Sequence, residues 1–561
     1  MLFIGKSLNQ IRAKRSLGDS SLQVSDHLSS QLHEISQLAY PLDSAALSRT
    51  VTGIRQFLSR TTLQKLLPVT KVVDMLQLLR GFFLLARGEF GMVLTQQADE
   101  KIRSRWRRAD NLAYEKRDGL ANVVVKEGEV AAVLGKTWQV MGSLQGQHAE
   151  EDEGLEFARN LLRLAMVKTP SGVPPTPGAA GDKSLSVIAS TPFRNLLFSV
   201  PVVLTLDIPS PLDLFLTPSD LQTYTAINSY LLSIRRAHIR LTDLWKVTSL
   251  RRHHPPPPGP PYGSTKAGRE RVRVMRERHS ARSYALRNAW ATARAAIFFL
   301  SETESYLQSE VAAGLWEGFQ KWLVTGLDEQ RQDERAQPRW APGVSSSHPE
   351  AAQAANDDDD DGDDIWLAEA TSHPDAVAAA PGAPERPPHD PQTLAAAHRL
   401  YLRTLVRRVL LTRPSFTDLL YELLVHIDHL VAVVHRLHGI WASADLEADA
   451  GVVDAFVDLE REETEVQHEL GEAAARVKRS IEAVVGELRA LEAGNVLGAG
   501  DAEDGGRSAD GDIELELGLV DAQLRYVPRS VGGVDRLLMK LDFGGWFGSA
   551  SGLRAHVDES D

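Results

Sequence analysis

Apolar residues along this chain recur at steps of three and four, the spacing that lays one stripe along an α-helix. The clearest stripe is Leu221, Tyr224, Ile227, Leu231, Ile234, His238, Leu241 and Trp245. Its start has the local chemistry of a helix N-terminus. Thr217 can cap, Pro218 fits the first helical position, and Asp220 stands where a capping-box acid reaches back. The pattern predicts a helix from Pro218 to Lys246, about 43 Å long at roughly 1.5 Å per residue. A second stripe is Val72, Met75, Leu79, Phe82, Ala86, Phe90 and Val93, and a third is Leu394, Ala397, Tyr401, Leu405 and Val409. After a break at Pro414 come Leu419, Leu423, Ile427, Leu430, Val434 and Leu437. A last, long stripe is Phe456, Leu459, Val466, Leu470, Val477, Ile481, Val484, Leu488 and Leu491, with a polar gap near Glu463. Only Leu197–Phe215 is strand-like, because Pro201, Pro209 and Pro211 forbid a regular helix there. The predicted fold class is all-α: an elongated stack of helical bundles, with a short extended or hairpin-like segment near 197–215 and several disordered inserts.

The inserts are marked by composition. Thr169–Lys183, His253–Gly268, Leu327–Pro391 and Gly494–Gly511 are too rich in Pro, Gly, Ala, Ser or like charge to form a core, so they read as solvated linkers. The third holds the run Asp357–Asp361 with Asp363 and Asp364. Lys+Arg 62 against Asp+Glu 75 sets the net charge at −13, and removing that run leaves the rest near −6. Such a balance argues against a protein built to neutralise phosphates, so no nucleic-acid partner is expected. Cysteine is absent, which excludes disulfides, thiolate metal sites and cysteine nucleophiles. The longest apolar stretch, Leu196–Ile208, is interrupted by Ser199, Pro201, Thr205 and Asp207 and falls short of a bilayer span of roughly 20 residues. No membrane insertion is expected, and a soluble intracellular protein is the default.

Motifs that resemble chemistry fail on spacing. Gly135-Lys136-Thr137 ends like a phosphate loop, but Val130 occupies the position that needs the first glycine. His426 and His429, then His435 and His438, have metal-like steps, yet on a helix the two pairs point to opposite sides. Gly548-Ser549-Ala550-Ser551-Gly552 is out of register for a nucleophile elbow. The carboxylates within Glu460–Glu465 lie on an exposed helical run. His238 sits on its apolar stripe and reads as a hydrogen-bonded core histidine. No enzyme activity, metal or cofactor is expected. Cations do gather: Arg235, Arg236, Arg240, Lys246, Arg251 and Arg252, then Arg269, Arg271, Arg273, Arg276, Arg278 and Arg282. Arg235 and Arg236 fall beside the apolar stripe, toward solvent or a partner. They make either a solvated helix face or a surface for an acidic partner, nucleic acid or a strongly acidic protein.

The stretch Pro211-Leu-Asp-Leu-Phe-Leu-Thr-Pro218, continuing through Leu221-Gln-Thr-Tyr224 and Tyr230-Leu-Leu-Ser-Ile-Arg-Arg236 to Leu244-Trp245, resembles the signature of gamma-tubulin complex components. Three further blocks agree in order: Leu2-Phe-Ile-Gly-Lys-Ser7, Gly81-Phe-Phe-Leu-Leu-Ala-Arg-Gly-Glu89, and Leu286-Arg287-Asn288 leading to Ser305-Tyr-Leu-Gln-Ser-Glu-Val311. Ala86 stands where the family has glycine and Gly91 where it has a large apolar residue, which predicts a loosened turn.

The resemblance implies a non-enzymatic scaffold whose C-terminal half binds gamma-tubulin and supports microtubule nucleation. Its partners would be gamma-tubulin and other gamma-tubulin complex components, in the cytoplasm, at the microtubule-organising centre or spindle pole of the cytoskeleton. Residues 1–98 would be a partial N-terminal helical region lacking its front part. Residues 99–326 would begin the gamma-tubulin-binding region, with linkers 169–183 and 253–268. An acidic disordered insert, 327–391, would interrupt it before 392–493; linker 494–511 and a terminal helical segment and tail, 512–561, would follow. Arg235, Arg236, Arg240, Arg287 and Asn288 are the expected gamma-tubulin-facing residues, with intramolecular ion pairing the alternative for several of them. The rival reading is a helical-rod tether or coat-type scaffold unrelated to tubulin.

Overall fold

The structure, a computed structural model, describes residues 69–106, 126–145, 153–166, 202–247, 264–323, 391–450, 458–497 and 526–543, with isolated positions before 69 and between 193 and 198. The Leu2–Ser7 block, residues 169–183, 253–263, 327–390 and 498–511, and the tail beyond 543 lie outside the described residues. The chain divides into two units, residues 1–321 with 390–561, and residues 322–389. All numbered elements belong to the first unit.

They are α1 (Val69–Leu78), α2 (Gly88–Trp106), α3 (Glu127–Gln145), α4 (Glu153–Leu161), β1 (Leu162–Met166), β2 (Val202–Leu206), α5 (Pro218–Val247), α6 (Lys266–Ala285), α7 (Arg287–Ser305), α8 (Pro391–Arg408), α9 (Pro414–Ala450), α10 (Leu459–Leu497) and α11 (Val534–Phe543). The fold is all-α, and among the described residues the only sheet is two-stranded and antiparallel. β2 lies within the passage read as strand-like. Its partner β1 pairs Leu162 with Leu206 and Met166 with Val202, and sequence reading missed it. β1 is only five residues long and follows directly on α4, so its own pattern did not set it apart from the helix before it.

α5 is the centre. It packs against α2, α7, α8, α9 and β2. The predicted capping box forms as expected. The Thr217 N–H donates to Asp220 Oδ2 at 3.0 Å, and the Asp220 N–H donates to Thr217 Oγ1 at 3.3 Å. The expected single stripe is a correction, because every residue from Thr223 to Ile234 is buried. Thr223, Thr225, Asn228 and Ser233 are satisfied locally or across contacts, while the Ser229 and Tyr230 hydroxyls have no hydrogen-bond partner among the described residues. Ser233 donates to the Ser229 carbonyl at 2.7 Å, and Thr225 to the Leu204 carbonyl of β2 at 3.0 Å. Tyr224 and His398 Nε2 share a hydrogen bond of 2.9 Å in an aromatic cluster with Phe215 and Phe319.

The stripe from Val72 to Val93 does not belong to one helix. α1 ends in a π-turn, Leu79–Phe83, and the chain reverses its local hand at Leu85 (φ 56°) before α2 begins. Asn228 of α5 causes the break to hold. Its amide donates to the Phe82 and Phe83 carbonyls at 3.1 and 3.2 Å, which the ended helix leaves open. Ala86 is consequently exposed. Gly91 does not loosen the turn: the Leu85 side chain lies 3.3 Å from where its Cβ would be, so glycine makes the space that Leu85 fills.

α9 and α10 run antiparallel, since Ser415 meets Glu487 near one end and Trp441 meets Glu463 near the other. Their predicted apolar positions from Leu423 to Leu437 and from Val466 to Leu488 are buried. α7 continues through a second π-turn, Tyr306–Ala312, into helix from 313. An extended segment, 526–533, lies across that helix: Val531 and Arg529 stand 3.1 and 3.0 Å from the Cβ positions of Gly314 and Gly318.

Candidate functional site

The five residues singled out from sequence go to three different places. Arg236, on the inner side of α5, is 1% exposed and donates to Asp428 Oδ2 of α9 at 2.7 Å. Arg240, one turn on, donates to the other Asp428 oxygen at 2.6 Å. Asp99 of α2 closes the group, 3.6 Å from each guanidinium. Two arginines and two carboxylates thus join three helices. Burial pushes the Asp428 carboxyl up, but Arg236 and Arg240 outweigh it and hold the group below the usual carboxylate range. The placement of Arg236 toward solvent is therefore corrected: the side chain is interior, and its companions are supplied by α2 and α9.

Arg235 is half-exposed and pairs with Glu304 of α7, whose second oxygen lies 2.9 Å from His238 Nδ1. Burial raises the Glu304 carboxyl, and His238 and Arg235 together bring it below its ordinary value. His238 is thus hydrogen-bonded, as its position on the stripe predicts. Arg287 and Asn288, at the first turn of α7, are both exposed.

α6 is fastened in the same manner. Arg282 forks onto Asp445 of α9 at 2.8 and 2.9 Å and lies over the Trp441 ring, 5.2 Å from its centroid. Arg278 adds a bond of 2.8 Å to the same carboxylate. α6 starts at Lys266, with Thr265 accepting from the Gly268 N–H at 3.1 Å, inside the segment read as linker 253–268. The Lys246 side chain and Arg251 and Arg252 lie outside what is described.

The remaining motifs take structural places. Gly135-Lys136-Thr137 lies in the middle of α3, with Thr137 bonded to the Val133 carbonyl at 2.9 Å. A helix interior offers no free amides for a phosphate. His426 and His429 turn to α10, where they meet Ser480 at 2.7 Å and Glu469 at 3.2 Å. Glu462 and Glu463 bind Arg436 and the Trp441 indole. Among the described residues no group of three or more His, Asp or Glu could hold a metal ion. No helix among them is long and apolar enough to cross a membrane.

What Arg235, Arg236, Arg240, Arg278 and Arg282 build is a set of ion-paired joints between helices. The family model described as gamma tubulin complex component C-terminal matches residues 195–547, more than half of the chain. The chain belongs to the gamma-tubulin complex component family, a family of structural scaffolds of the cytoskeleton. No curated protein matches it. Membership removes the reading of a helical tether unrelated to gamma-tubulin complexes.

Proposed function

We propose that this chain is a non-enzymatic scaffold that binds gamma-tubulin through its C-terminal helical region and supports microtubule nucleation beside other gamma-tubulin complex components. Its place would be the cytoplasm, at the microtubule-organising centre or spindle pole. The observation that carries the reading is the family match over 195–547, which begins just before the signature helix α5 and runs past α11. The division sketched above, with gamma-tubulin bound by 99–326 and 392–493 on either side of the acidic insert, belongs to the same proposal. Within the family, Leu538-Met-Lys-Leu-Asp-Phe543 is similar to the close of component 4, which we propose as the member this chain resembles.

The physical logic is preorganisation. Bringing several tubulins together costs on the order of 4–15 kcal/mol per association in lost freedom, and a scaffold that holds them at set spacing removes most of that cost for the first ring. A platform serves this only if it is stiff, and the Arg236–Asp428–Arg240 joint supports stiffness. We assign Arg235, Arg236 and Arg240 to holding the platform and Arg287 and Asn288 to facing gamma-tubulin.

Size-exclusion chromatography of the chain mixed with gamma-tubulin tests the reading. A common, earlier peak is expected; two unshifted peaks at micromolar concentration overturn it. Arg287→Glu with Asn288→Lys is expected to weaken co-elution while the circular dichroism spectrum stays helical, and unchanged co-elution removes that pair from the contact.

A further inference from the structure

The charge on α6 is divided between two sides. Lys266–Ala285 carries seven cations and two carboxylates. Arg278 and Arg282 turn inward to Asp445, and Val272 is buried. Lys266, Arg269, Arg273 and Arg276 recur at steps of three, four and three on the opposite side. Arg273 is held by Glu270 at 2.6 Å and Glu277 at 3.8 Å. Lys266, Arg269 and Arg276 are exposed and form no ion pair with a described residue.

A second observation points the same way. The first turn of α6 contains no acid, and Lys266 and Arg269 stand there instead. A helix N-terminus is the positive end of its dipole and favours carboxylates. Cations at that end are a local conflict of the kind that an anionic partner relieves. On the same side, four to five turns along, Tyr284 is 77% exposed. Tyr and Arg are the residues that most often anchor interfaces. The Arg282–Asp445 fork keeps the stripe on a fixed support.

We propose that the outer face of α6 is a docking surface for an extended, carboxylate-rich polypeptide segment. At about 1.5 Å per helical residue and 3.3 Å per extended one, the face from Lys266 to Tyr284 matches about eight residues of such a segment. A nucleic-acid backbone carries charge at every phosphate and would meet Glu270 and Glu277 on this same face. A peptide can set neutral side chains against those two and acids against Lys266, Arg269 and Arg276. The surface is separate from the binding of gamma-tubulin and stands or falls without it.

The experiment is fluorescence anisotropy of the full chain with a labelled Glu-rich peptide of about twelve residues. Saturable binding is expected, weakening at least about tenfold between about 50 and 300 mM salt. Arg269→Glu with Arg276→Glu is expected to weaken it at least about tenfold, with an unchanged circular dichroism spectrum. Lys478→Glu with Arg479→Glu makes the same charge change on exposed positions of α10 and is expected to leave binding as it was. The proposal is overturned by absence of saturation, by equal losses in the two double variants, or by an oligouridylate of similar length binding as tightly as the peptide.

Discussion

α5 and α6 are both arginine-rich helices, and their arginines do opposite things. On α5, Arg236 and Arg240 are drawn inside by Asp428 and Asp99 and tie three helices together. On α6, Arg278 and Arg282 are drawn in by Asp445 of α9, and the rest of the cations are left on the outside. The difference lies in what the neighbouring helices bring. α5 is surrounded, so a charge on it must be paired or the helix could not be buried. α6 meets neighbours on one side, so its other cations stay in water at little cost. Local sequence is similar in the two cases, and acids far away in the chain decide the outcome.

That contrast is open to direct attack. Asp428→Ala removes the carboxylate to which both Arg236 and Arg240 donate, and a loss of about 3–5 kcal/mol in urea unfolding is expected. Charge reversal at Arg236 would act on folding in the same way, so it cannot serve as a binding test. The Asp428 carboxyl is depressed below 3.8 in the fold, so its stabilisation is complete above that value and disappears as pH falls through the lower folded one.

His398 gives the contrast a second arm. Its ring beside Tyr224 is neutral in the fold because burial pushes its pKa down to about 4, against 6.5 in the unfolded chain. Between those values the unfolded chain binds the extra proton. Stability is therefore full above pH 6.5 and declines toward pH 4, by on the order of 1 kcal/mol per pH unit. His398→Gln should flatten that slope in thermal unfolding measured across the interval; an unchanged slope would assign it to other groups.

Smaller effects follow around α5. Asn228→Ala strips the Phe82 and Phe83 carbonyls of their donor and is expected to lower the urea midpoint by the equivalent of about 1–3 kcal/mol. Thr217→Ala removes the cap at the start of α5, with an expected loss of about 0.5–2 kcal/mol in the same assay. At the far end of the scale, Arg269→Glu on α6 should leave stability within about 0.5 kcal/mol of the parent. A large loss there would mean that the outer face of α6 is not free, and the contrast between the two helices would fail.

Much of the fold was legible beforehand. The bounds of α5 were read to within one residue, and its capping box formed from the residues named for it. Stripes on α8, α9 and α10 became core. The misreadings share a cause. The stripe through Phe82, Ala86 and Phe90 looked continuous because helical period is blind to a reversal at one residue. Leu85 is stable in its left-handed conformation because Asn228, more than a hundred positions later, accommodates the ended helix. β1 was missed because five residues of alternating burial become a strand only beside β2.

The sequence by itself determined the class of fold, the start and length of the central helix and the membership of a scaffold family. Those are local or cumulative properties: caps act over three residues, stripes over two or three turns, and a family signature over ordered blocks. Only the tertiary structure decided which arginines join helices and which remain available to a partner. An ion pair depends on where an opposite charge arrives in space, and the carboxylate that claims Arg236 is 192 residues away along the chain.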